Sequence, residues 1–109
     1  DAEREWSTMI GQLRTIWKEV ERHDASWPFR EPVNTDEVGD YLSIIKDPID
    51  LSLIKRRLDD EFYKSRDMLK ADLIRMIENC KTYNGQRTVF FKEADRLGAC
   101  IEKLFSQKR

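Results

Sequence analysis

The sequence of 109 residues predicts an all-α domain, an antiparallel four-helix bundle with one overlong loop between its first and second helices. Three observations predict it. Apolar residues recur at intervals of three and four in four separate segments, the spacing that lines one side of an α-helix. No segment sustains the apolar–polar alternation of a strand. The one Asn-Gly pair, Asn84-Gly85, follows a helical pattern instead of joining two alternating runs, so it is not a hairpin turn.

The first helix is read over residues 4–22, where Trp6, Met9, Ile10, Leu13, Ile16, Trp17 and Val20 share a side. Asp50 is a suitable N-cap for the second, which turns Leu51, Ile54 and Leu58 inward and Lys55, Arg56 and Arg57 mostly outward. Ser65 caps a third helix with the stripe Leu69, Leu73, Met76, Ile77 and Cys80. It ends near Tyr83 and Asn84, where Gly85 permits a left-handed exit. Thr88 starts a fourth, burying Phe90 or Phe91 with Ala94, Leu97, Ile101, Leu104 and Phe105. Gly98 in its middle costs roughly 1 kcal/mol relative to Ala, which close packing of a neighbouring helix would explain.

The first connection runs from about residue 23 to 49, against the usual ~2 to 8 residues in bundles. It carries Trp27, Phe29, Val33, Val38, Tyr41, Leu42, Ile44 and Ile45, too much apolar surface for a disordered linker, so it must pack. The stretch "WPFREPV" at 27–33 is too proline-broken for a helix or a central strand and is expected to lie across one end of the bundle. "GDYLSIIKDP" predicts a short helix between Gly39 and Pro48 that docks Ile44 and Ile45.

A 13.0 kDa chain fits one domain over residues 1–109. It opens on Asp1 and has no apolar run of signal-peptide or membrane-span length, so the expectation is a soluble, monomeric module of a longer protein, without membrane contact. Twenty Lys and Arg against twenty-one Asp and Glu leave a net charge of −1, which argues against direct nucleic-acid binding. The "KRR" at 55–57 is followed at once by Asp59, Asp60 and Glu61, as on a solvated helix face. Cys80 and Cys100 lack CxxC spacing and fall in helical patterns, the signature of reduced core thiols. His23, the only histidine, has no nucleophile or metal-ligand cluster beside it. The expectation is therefore no enzyme activity, no metal and no cofactor.

Six motifs then align in order. "WPF" at 27–29, "EPV" at 31–33, "DY" at 40–41, "IIKDPIDL" at 44–51, "NCKTYN" at 79–84 and an aromatic at Phe90 together resemble the bromodomain, and the likeness covers nearly the whole chain. That resemblance implies a left-handed four-helix bundle that reads acetyl-lysine. The "WPFREPV" wording is most similar to the bromodomains of GNAT-type histone acetyltransferases. By motif, Asn84 matches the asparagine that donates to the acetyl carbonyl, and Tyr41 the tyrosine that holds a bridging water to the same oxygen. Trp27, Pro28 and Phe29 resemble the shelf beside the slot, with Val33, Val38 and Tyr83 as further walls and Phe90 as gatekeeper. The resemblance implies acetylated histone tails as partners and a nuclear location. Two positions depart from the usual pattern, Gly39 where relatives often have Pro and Leu42 where they often have Tyr; Gly39 lets the loop backbone relax.

These residue types suit that ligand. Acetylation converts an ammonium into a neutral amide with one acceptor and a methyl group, and an apolar slot with a single uncharged donor discriminates in its favour. A tip of about six heavy atoms, at roughly 0.3 to 1.5 kcal/mol each, supplies about 2 to 9 kcal/mol, so micromolar to millimolar affinity is expected. Between Asp24 and Asp50 seven acids outnumber two bases, leaving that segment at −5 and the rest at +4, a distribution suited to a lysine-rich tail. Without the motifs, Asn84 reads as a helix cap and Tyr41, Trp27, Phe29 and Phe90 as core; the alternative function is a helical interaction module whose degenerate pocket no longer binds acetyl-lysine and whose loop surface docks a protein partner.

Overall fold

The structure is a computed structural model and describes residues 1–107. Five α-helices and one 3-10 helix follow in order: α1 (Ala2–Arg22), the 3-10 helix (Asp24–Phe29), α2 (Tyr41–Ile44), α3 (Leu51–Asp59), α4 (Arg66–Tyr83) and α5 (Val89–Ser106). No strand occurs among the described residues. The chain is thus all-α, and α1, α3, α4 and α5 are the four bundle helices that the periodicity predicts.

Each bundle helix begins where the sequence supplies a side-chain acceptor for its unpaired N–H groups. Asp1 accepts from the Arg4 N–H at 2.9 Å, Asp50 from Ser52 at 2.9 Å, Ser65 from Met68 at 3.3 Å and Thr88 from Phe91 at 3.2 Å. The Asp1 cap lets α1 start two residues earlier than the apolar stripe implies. Leu13, Ile16 and Val20 of α1 meet Ile54 and Leu58 of α3, Leu69, Leu73, Met76 and Ile77 of α4, and Ala94, Leu97 and Ile101 of α5 in one buried cluster.

Several expectations change at element ends. The "WPF" stretch is not plain coil: it closes a 3-10 helix, whose tighter turn tolerates Pro28 because so few ladder bonds are needed. Gly85 makes no left-handed exit, since no glycine has positive φ; Asn84 leaves α4 extended, at φ −103° and ψ 141°. Among the described residues the left-handed one is Glu61, at φ 54°. There the Phe62 N–H reaches the Arg57 carbonyl at 2.9 Å and the Glu61 N–H reaches Leu58 at 3.1 Å, a Schellman closure of α3. In α2, Tyr41 and the following Ile45 are buried, whereas Ile44 is exposed: the helix ends at Ile44 and the backbone turns extended at Ile45, so only Ile45 of the expected pair docks into the core. Cys80 and Cys100 are free thiols and only half-buried.

The long connection is tied down at several points. The Ser26 hydroxyl donates to the Glu21 carbonyl at 2.6 Å and accepts from Arg30 Nε at 3.0 Å. The Asn34 carbonyl closes a turn by accepting from Glu37 and Val38. Near the far end of the connection, Asn79 Nδ2 of α4 donates to the Asp47 carbonyl at 2.8 Å. These bonds satisfy backbone groups that helix or sheet would otherwise pair, which is how an irregular segment of this length packs.

Candidate functional site

The tied-down connection and the ends of α4 and α5 enclose a cavity of about 750 Å³ at one end of the bundle. Its size is that of a small-ligand cleft. From the connection come Pro28, Phe29, Val33, Val38, Tyr41 and Leu42; Ile49 follows just before α3. Helix α4 and its cap supply Met76, Cys80, Tyr83 and Asn84, and α5 contributes Phe90.

Eight of the nine residues singled out in the sequence therefore stand on this one surface: Asn84, Tyr41, Pro28, Phe29, Val33, Val38, Tyr83 and Phe90. Trp27 is placed differently. It is 46% exposed and lies outside the wall, its ring tilted against that of Phe90 with centroids 5.6 Å apart. Phe29, by contrast, is 5% exposed and serves core and cavity together.

Sequence reasoning misses Met76, Cys80 and Ile49 as lining residues. A signal for two of them is present: Met76, Cys80 and Asn84 are spaced by four, so they form one line along α4. Periodicity assigns the apolar part of that line to the core, because the apolar residues of α4 form a broad stripe and their spacing does not distinguish a core neighbour from a cavity.

Asn84 is fixed by its own helix end. Its backbone N–H and its side-chain Nδ2 both donate to the Cys80 carbonyl, at 3.0 and 2.9 Å, and Nδ2 also lies 3.6 Å from Cys80 Sγ. An amide nitrogen carries two hydrogens: one goes to the carbonyl, and the other faces only the sulfur, a weak acceptor that an oxygen at the cavity wall would outcompete. Cap and cavity positions coincide in this residue.

Tyr41 is 6% exposed and packs its ring against Tyr83, centroids 5.0 Å apart. Burial pushes its hydroxyl above the ordinary phenol range, so it remains neutral at physiological pH. The Tyr83 hydroxyl donates to Asp40 Oδ1, which raises the Tyr83 pKa and joins α4 to the start of α2. Burial likewise raises the Cys80 thiol, whose Sγ donates to the Phe90 carbonyl at 3.4 Å, so the sulfur contributes polarisable apolar surface and no thiolate. Asp50 caps α3 and receives both the N–H and the hydroxyl of Ser52. Glu31 and Glu37, also on the lining, are exposed.

The chemistry available is recognition. Among the described residues no group of His, Cys, Asp and Glu is arranged to hold a metal ion, and no helix is long and apolar enough to cross a membrane. A largely apolar slot with one fixed amide donor and a neutral phenol orients a ligand that has an acceptor at its tip.

The bromodomain family model matches residues 13–96. The histone acetyltransferase GCN5 of Oryza sativa subsp. japonica is 43% identical over 97 residues, covering 88% of this chain and 18% of that protein. The GCN5 acetyltransferase of Debaryomyces hansenii is 39% identical over 94 residues, covering 86% of this chain and 20% of its own length. The chain thus spans about a fifth of these relatives. The solved bromodomain from human BAZ1A superposes with a TM-score of 0.84 at 34% identity, covering 87% of this chain and 89% of that one. Bromodomains are reader modules and not catalytic domains, so the similarity to acetyltransferases lies outside their chemistry. With the motifs in family order, the fold matched and most of the length covered, the chain belongs to the bromodomain family.

Proposed function

We propose that the cavity binds acetyl-lysine on histone tails and that residues 1–109 act as one module, tethering a longer chromatin regulator to acetylated chromatin in the nucleus. The observation that carries this reading is the Asn84 amide on an otherwise largely apolar wall: one of its hydrogens is bonded to the Cys80 carbonyl, and the other is engaged only by the weak acceptor Cys80 Sγ at 3.6 Å, from which a ligand carbonyl would draw it. In this reading Asn84 donates to the acetyl carbonyl, Tyr41 holds a water against the same oxygen, and Met76, Cys80 and Ile49 enclose the methyl end. Pro28, Phe29, Val33, Val38, Tyr83 and Phe90 flank the methylenes, and Trp27 shields the mouth from behind Phe90. The buried carboxylate on the lining, Asp50, is committed to Ser52 at the α3 cap. An unmodified lysine would therefore have to strip water from its ammonium without a free buried counter-charge to replace it, and the desolvation cost rejects it.

The parent protein is proposed to be a histone acetyltransferase, on its similarity to the GCN5 relatives. Exposed Glu31 and Glu37 at the lining, within a segment of charge −5, favour peptides with further lysines beside the modified one.

Titration of the chain against acetylated and unmodified histone peptides measures ligand class and site preference together. Asn84→Ala is expected to abolish binding of the acetylated peptides while circular dichroism still reports the helical bundle. Unchanged affinity in a folded Asn84→Ala variant would refute the acetyl-lysine assignment and leave a helical interaction module with a degenerate pocket.

A further inference from the structure

Glu93 lies one turn after Phe90 on α5 and is 9% exposed, an unusual position for a carboxylate that lines neither the cavity nor a metal site. Its two oxygens are both engaged. Oε2 accepts from the Trp27 indole Nε1–H at 2.8 Å, and Oε1 accepts from Arg96 Nη1 at 2.7 Å. Arg96 Nη2 in turn reaches both carboxylate oxygens of Asp24, at 2.9 and 3.0 Å, where the 3-10 helix begins. The Trp27 side chain is thereby held at two points on one stripe of α5: its ring rests on Phe90 and its N–H is fixed by Glu93. A ring that is 46% exposed has many orientations open to it, and this bond selects one.

We propose that Glu93 is a positioning residue for acetyl-lysine recognition: by holding the Trp27 N–H, braced through Arg96 to Asp24, it fixes the Trp27–Phe90 pair at the cavity mouth. The inference rests on the reading given under Proposed function. Phe90 is 41% exposed and receives its lateral support from Trp27, so a freely rotating indole would leave the mouth less ordered before the ligand arrives. Binding then has to order it, which weakens affinity without altering any group that touches the ligand.

The test uses the intact chain, a short lysine-rich peptide carrying one central acetyl-lysine, and nitrogen-15 labelling of the three tryptophans. Glu93→Ala is expected to weaken binding about fivefold and to move the Trp27 indole N–H resonance, while a conservative Glu93→Gln, which keeps an acceptor, stays within about twofold of the native affinity. Trp27→Phe is expected to weaken binding by a similar factor, and Glu93→Ala added to it should cost nothing more. Native affinity in a folded Glu93→Ala whose indole signal has moved overturns the inference, as does an undiminished loss in the Trp27→Phe background. Should Glu93→Ala fail to fold, native affinity in Trp27→Phe overturns it equally. A native chain that ignores the acetylated peptide refutes the underlying function; a native chain that binds, with variants that bind as well, refutes only the role of Glu93.

Discussion

The Asp72 carboxylate gathers two donors on the side of α4 turned towards α3, the Tyr63 hydroxyl at 2.6 Å and Arg57 Nη1 at 2.7 Å, and forms a further ion pair with Arg75 Nη1 at 3.3 Å. Tyr63 is 1% exposed, and its hydroxyl is raised well above the phenol range by burial and by the carboxylate beside it, so it remains a donor. Replacing Asp72 with Ala leaves that hydroxyl without its acceptor and Arg57 without its ion pair, and is expected to destabilise the bundle by about 2 to 4 kcal/mol. Tyr63→Phe removes donor and need together and should cost about 1 kcal/mol. None of these residues lines the cavity, so urea denaturation should register both losses while acetyl-peptide affinity of the folded variants stays native. Such buried polar residues are illegible in the sequence, where Asp72 stands in a helix as one acid among many. Asn84 and Tyr41 are legible because their motifs carry order and spacing, which a single acid does not.

Among the elements, periodicity and caps predict the helices well and their ends less well. The left-handed residue at the close of α3 is Glu61, held by two backbone bonds, whereas glycine is the residue that sequence patterns associate with that role. Gly98 in α5 shows the converse. A β-carbon built there would meet Ile77 Cγ2 of α4 at 3.5 Å, an ordinary van der Waals contact, so close packing does not demand glycine. Gly98→Ala is therefore expected to stabilise the chain by about 0.5 to 1 kcal/mol, with Gly11→Ala in α1, where nothing lies within 4 Å, as a matched comparison. A rise in the urea midpoint for Gly11→Ala alone would show that α4 and α5 cannot admit the methyl group.

On the scale of the whole molecule, the charge is divided: −5 over residues 24–50 and +4 over the rest, in a chain whose total is only −1. The acidic share belongs to the segment that builds most of the cavity, so a lysine-rich acetylated peptide should associate more slowly as salt rises, with its dissociation rate little changed. Stopped-flow rates at two ionic strengths measure this, and a salt-insensitive association rate would exclude steering by the loop. The overlong connection marks the site's neighbourhood in the sequence, because a loop so apolar has to cover something. What it covers is decided by long-range bonds such as Trp27–Glu93 and Asn79–Asp47, whose partners lie 66 and 32 residues apart and share no local pattern.

Helix α4 carries the Asn84 amide at its end and, through Asn79 just over a turn earlier, grips the returning limb of the connection. Donor and opposing wall are thus mounted on a single rod. A tilt of that rod is therefore expected to carry both jaws in the same direction and to alter the gauge of the slot less than the frame around it.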